Sequence, residues 1–204
     1  MVRIPGLVMV LVAVLGSITI GADLAGEKEE REMYKFPVTW GAGMETLPED
    51  AGNIQDGGST EVRIAIDDRN LTTVVFKLGW SDNLRFLGTF FPPEVTFRVT
   101  DPNGTVIDEL SSSSQGSEMK VTASEINTPN NITEIEAGSD EAARKEFSDQ
   151  CPAKDAGTGT WTVTISTERS IPRMPMGRGS IDYTLTCDIS YFYAELGEGG
   201  KGQG

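Results

Sequence analysis

The sequence predicts an all-β fold, an antiparallel β-sandwich of jelly-roll type with one short helix, preceded by an N-terminal transmembrane helix. Three observations carry this expectation. From Glu61 onward, apolar residues recur at every second position in runs separated by turn residues, the mark of antiparallel strands buried on one face of a sandwich or barrel. One stretch only, beginning at Ser139, carries helix-start chemistry. The opening run Ile4–Ala22 contains no charged side chain.

That run approaches the roughly 20 residues a helix needs to cross a hydrocarbon core. Arg3 precedes it and the acidic stretch Glu27-Lys28-Glu29-Glu30-Arg31-Glu32 follows, so the positive-inside tendency leaves the amino terminus in the cytoplasm and the body outside. A cleaved signal peptide is the competing reading. Gly21-Ala22 and Ala25-Gly26 offer small residues for cleavage, although neither forms a clean A-x-A pattern. Residues 1–26 are therefore read as membrane anchor or signal segment, and in both cases the body is exported.

Composition removes several classes of function. The 204-residue chain carries a formal net charge of −14 and no histidine. Phosphate neutralisation needs clustered Lys and Arg, so nucleic acid is excluded as a partner, and the acidity chiefly serves solubility. Without histidine there is no Ser-His or Cys-His nucleophilic pair and no His-ligated zinc. Carboxylate-only hydrolysis with two suitably spaced acids remains open. The expectation is that the protein is not an enzyme and binds no cofactor.

Residues 27–60 read as a stalk, a first strand over Tyr34–Trp40 and a long exposed loop over 41–60. The sandwich proper is expected over 61–196. Val62, Ile64 and Ile66 alternate, and after the turn Asp67-Asp68-Arg69-Asn70 so do Val74, Phe76, Leu78 and Trp80, as a pair of adjoining strands would. Val95, Phe97 and Val99 lead into Asp101-Pro102-Asn103-Gly104, whose Pro and Asn-Gly fit a tight reversal before Val106 and Leu110. Met119 and Val121 mark a short strand before a polar stretch over 124–138. Ser139 as N-cap, with early acids and later bases, predicts a helix running into Cys151. Trp161, Val163 and Ile165 form one inward face, and the residues from Ile181 to Tyr193 at odd positions form the last. The glycine-rich tail 197–204 has nothing to bury and reads as disordered.

Candidate sites follow from residue chemistry. Cys151 and Cys187, an even count in an exported body, read as one disulfide closing a loop of about 36 residues, worth on the order of 3–4 kcal/mol in the chain-entropy model. Two free buried thiols are the alternative. Three N-glycosylation sequons, at Asn70, Asn103 and Asn131, fall in predicted turns or loops. Asp67, Asp68, Asp82, Asn83, Asp101 and Asn103 offer hard oxygen ligands, so calcium is possible, although no segment matches an EF-hand loop and turn hydrogen bonding alone accounts for these residue types. The basic, Met-bearing island 168–179, with Arg169, Arg173, Met174, Met176 and Arg178, has the composition of a partner loop, against the simpler reading of a solvated hairpin connection. Trp40, Trp80 and Trp161 sit at the apolar phase of strands, as core residues and not as a sugar-stacking platform.

The stretches Glu94-Val95-Thr96-Phe97-Arg98-Val99-Thr100-Asp101-Pro102-Asn103-Gly104-Thr105 and Gly157-Thr158-Gly159-Thr160-Trp161-Thr162-Val163-Thr164-Ile165 resemble the accessory jelly-roll domains of secreted proteases, of the proprotein-convertase P type and the bacterial pre-peptidase C-terminal type. The resemblance spans 61–193 and implies a non-catalytic stabilising or binding module. Those modules accompany a protease domain, whereas here an apolar run precedes the body. The expected function is that of a membrane-anchored extracytoplasmic β-sandwich, an accessory or structural subunit of a membrane or envelope complex with protein partners. A secreted carbohydrate- or ligand-binding module is the alternative, and a carboxylate-only hydrolase the third reading.

Overall fold

The computed structural model describes residues 32–83, 91–169 and 179–201. The expected membrane helix lies outside them, and among the described residues no helix is long and apolar enough to cross a membrane. The body is an antiparallel sandwich. Its larger sheet contains β1 (Tyr34–Thr46), β2 (Asp50–Gln55), β4 (Leu71–Asp82), β7 (Met119–Ser124), β8 (Glu134–Ala137), β10 (Ser180–Leu196) and β11 (Gly200–Lys201). The smaller contains β3 (Ser59–Ile66), β5 (Glu94–Thr100), β6 (Val106–Ser112) and β9 (Gly159–Glu168).

The strands pair from the outside of the sequence inward: β1 and β2 with β10, β3 with β9, β4 with β7, β5 with β6. This nested order is jelly-roll topology. It corrects one expectation, since β3 and β4, read as adjoining partners, lie in opposite sheets. Alternation along a strand specifies which face is buried and not which strand lies beside it.

The residues 41–60, expected as loop, are mostly strand. β1 and β2 line one flank of β10 in succession, from Val38 opposite Leu196 to Gln55 opposite Ser180. Between them Pro48, which has no N–H to donate, interrupts the ladder, and the amide of Leu47 donates to the carbonyl of Cys187 at 2.8 Å. The glycines that made this segment look irregular have a packing role. The Tyr193, Tyr191 and Tyr183 rings occupy the space that a Cβ would take at Gly41, Gly43 and Gly52, their cross-strand partners. Within the tail, expected as disordered, β11 pairs with Tyr34 and Lys35. Within the polar stretch 124–138, β8 pairs with β1.

The predicted inward faces meet between the sheets. Val62, Ile66, Val74, Phe76, Leu78, Trp80, Val95, Phe97, Val99, Trp161, Val163 and Ile165 form one core with Ile181, Leu185 and Ile189. A second, smaller core lies on the other face of the larger sheet. There Phe36, Val38, Ile135 and Ala137 pack with Ala143, Phe147 and Cys151 of the helical segment, α1 (Asp140–Gln150) and its C-cap. Ser139 caps α1 as expected, its Oγ accepting from the amide of Ala142, with Asp140 and Glu141 in the first turn.

These two cores overturn the disulfide. Cys151 and Cys187 are both free thiols. Cys187 belongs to the core between the sheets and Cys151 to the core beneath α1, so the larger sheet separates them. Alternation correctly pointed Cys187 inward, but it carries no information about which face receives the helix.

Candidate functional site

The most heavily charged buried feature gathers three strand ends. Asp82 closes β4, Asp56 follows β2, and Arg169 follows β9. Arg169 has a side-chain exposure of 0%, and its Nη1 and Nη2 donate to the two carboxylate oxygens of Asp82 at 3.0 and 2.7 Å, a bidentate fork. Its Nε lies 2.9 Å from Asp56, and Nη1 also reaches the carbonyl of Phe91 at 3.1 Å. Burial pulls the guanidinium down most strongly, but the hydrogen bonds and charges of Asp82 and Asp56 together outweigh it and raise its pKa above the ordinary value.

The cluster ties the larger sheet to the smaller, since Asp82 belongs to the former and Arg169 follows a strand of the latter. The turn below it is braced by backbone bonds from Asp56 to Gly179 and from Gly57 to Thr167. Arg169, read from sequence as part of an exposed partner loop, is therefore a buried structural residue. Its carboxylate partners lie 87 and 113 positions away in the chain, beyond the reach of local composition. Arg173, Met174, Met176 and Arg178 lie outside the described residues.

The oxygen-rich residues considered for calcium do not converge. Asp67, Asp68, Asp101 and Asn103 sit in the turns after β3 and β5, whereas Asp82 and Asn83 stand at the far end of β4. Asp82 is occupied by Arg169, and Oδ1 of Asp101 accepts from the amides of Asn103 and Thr105 at 3.0 and 2.7 Å, closing the predicted turn. Among the described residues no three acidic or cysteine side chains are grouped as a metal requires.

The three sequons differ in their surroundings. Asn70, with φ of 57°, is half-buried, and its Oδ1 accepts from the amide of Lys154 at 2.7 Å. Asn103 and Asn131 are exposed. The three tryptophans offer no platform. Trp80 and Trp161 lie in the main core, and Trp40 packs on the second core, its indole donating to the carbonyl of Ile132 at 2.8 Å.

The hollows on the described surface include two of several hundred Å³. One, of about 350 Å³, opens beside β6 and β7 over Ile107, Ala123, Ile126 and Trp161, with Asp101 and Asn103 at its rim. The other, of about 470 Å³, lies over the smaller sheet and includes Ser59, Thr96, Ser166, Glu94 and Glu168. Glu94 and Glu168 are direct antiparallel partners, which sets like charges opposite one another on an exposed face.

No family model matches the chain, and no curated protein matches it. Solved structures similar to it include the "Structure of infectious bursal disease virus Gx strain" (TM-score 0.35, 10% identity, 80% of this chain and 38% of that one). Another is the "Crystal structure of infectious bursal disease virus VP2 subviral particle" (TM-score 0.33, 10% identity, 78% of this chain and 38% of that one). The chain thus spans well under half the length of either, at a similarity too low to carry a functional argument.

Proposed function

We propose that this protein is a membrane-anchored, extracytoplasmic β-sandwich that works by contact, as an accessory or structural subunit of a larger membrane or cell-envelope complex. The observation that carries the reading is the charge-free run Ile4–Ala22, followed at once by acids and then by an independent jelly-roll body beginning at Tyr34. The way the body uses its charges supports it further. Arg169, Asp82 and Asp56 join strand ends, Asp101 closes a turn, and Asp188 bridges Thr46 and Lys77 across three strands. These groups build a rigid scaffold and leave the surface to make contacts.

Extraction of the native protein from its own membranes in mild detergent, followed by intact mass and identification of co-purifying chains, tests this reading. The expected result is a chain retaining residues 1–26 together with stoichiometric partners. A soluble chain beginning near Asp23 or Gly26 and running alone would overturn it.

A further inference from the structure

Three tyrosines of β10 lie over glycines of the neighbouring strands, yet they are not equivalent. Tyr183, over Gly52, is 8% exposed, and its hydroxyl donates to Asp50 at 2.9 Å. It is a finished core contact. Tyr193, over Gly41, is 44% exposed, and Tyr191, over Gly43, is half-buried at the edge of the main core. Neither of these two hydroxyls has a hydrogen-bond partner among the described residues. The same packing device thus ends in a hydrogen bond at Tyr183 and leaves the hydroxyls of Tyr191 and Tyr193 unused.

The geometry of these rings follows from the glycines. A Cβ at Gly41 would fall 2.4 Å from Cζ of Tyr193, and one at Gly43 would fall 2.5 Å from Cζ of Tyr191, so each ring occupies its glycine's notch against the backbone. The strand beneath fixes the rings before any ligand arrives, which lowers the ordering cost of binding. Residues two apart on one strand share a face and stand roughly 7 Å apart along it. By the same alternation, Glu195 with its cross-strand partner Thr39 extends that face on one side, and Glu45 extends it on the other. All three are exposed.

We propose that Tyr191 and Tyr193 form a stacking platform for a neutral carbohydrate chain, with Glu45, Glu195 and Thr39 accepting hydrogen bonds from its hydroxyls. A pyranose ring presents a flat array of C–H groups that packs on an aromatic face and a rim of hydroxyl donors that carboxylates accept. Acids beside the platform and a net charge of −14 select against uronic or sulfated sugars. The site rests on the reading of the body as a contact module and is independent of the anchor. Loss of sugar binding leaves partner co-purification unchanged, and loss of partners leaves sugar binding unchanged.

The test uses the full chain in phosphatidylcholine nanodiscs, titrated with neutral hexaoses of β-1,4-glucose, β-1,3-glucose and β-1,4-mannose and with an oligogalacturonate of the same length. Saturation-transfer NMR reads the contact. Saturable binding of at least one neutral hexaose, with transfer concentrated on ring C–H protons, and none of the oligogalacturonate is the expected result. Tyr193→Leu and Tyr191→Leu should weaken it at least about tenfold, whereas Tyr183→Phe should bind as the parent does. Glu195→Ala, at an exposed position, should weaken it about threefold or more. The proposal is overturned if no neutral hexaose saturates, or if a cooperatively folded Tyr193→Leu or Glu195→Ala binds as the parent does.

Discussion

Arg169 shows how far a residue's role can depart from its neighbourhood in the chain. Local composition placed it in a basic surface loop, and the fold buries it between two carboxylates from other strands. Removing one partner of such a cluster leaves uncompensated buried charge, so Arg169→Ala is expected to cost about 3–5 kcal/mol, read as a lowered urea midpoint. A loss under about 1 kcal/mol would mean that Asp56 and Asp82 are solvated in solution. Asp188 behaves differently because it is partly open to water. Hydrogen bonds from Lys77 and Thr46 hold its pKa below the ordinary 3.8. The unfolded chain, with the higher value, therefore takes up the proton first as pH falls. Stability from this group is full above about pH 4 and disappears as pH drops through the lower folded value. Asp188→Asn should lower stability at neutral pH and flatten the acid limb, as measured by urea midpoints across that range. Parallel limbs for parent and variant would contradict the assignment.

At the scale of elements, period-2 alternation made the buried faces of β3, β4, β5, β9 and β10 legible, and Ser139 with its following acids marked α1 to within a residue. What stayed hidden depended on pairing. The 41–60 segment reads as loop because Gly41, Gly43, Gly52 and Pro48 break the apolar rhythm, but tyrosines from β10 fill the places of the missing side chains. Cys151 and Cys187 failed as a pair for a related reason, since the helix packs on the face of the sheet opposite the one Cys187 occupies. Burial pushes the Cys187 thiol up to about 12, and burial also raises that of Cys151. Mass-mapped alkylation of the native protein at neutral pH should therefore find two thiols and no disulfide. Half-buried Cys151 should react slowly, and Cys187 should react only after denaturation. A native Cys151–Cys187 linkage would show that the arrangement of α1 on the sheet is wrong.

For the molecule as a whole, nested pairing builds a sandwich in which the first strands and the last share a sheet, so most of the chain is enclosed between its own ends. Class and inward faces follow from alternation, but the order of strands does not, because the contacts that decide it join residues more than a hundred positions apart, as Val38 and Leu196 do. The proposed platform of Tyr191 and Tyr193 was equally invisible, since alternation assigned both rings to the core, whereas Tyr193 is 44% exposed and Tyr191 half-buried. An exported body held at a membrane has a defined topology, which labelling from one side reads. A membrane-impermeant amine reagent applied to sealed cells or right-side-out vesicles, followed by alkaline carbonate washing, should label the body without permeabilisation and leave the labelled chain in the membrane pellet. Labelling only after lysis, or release of the chain into the wash, would contradict the account.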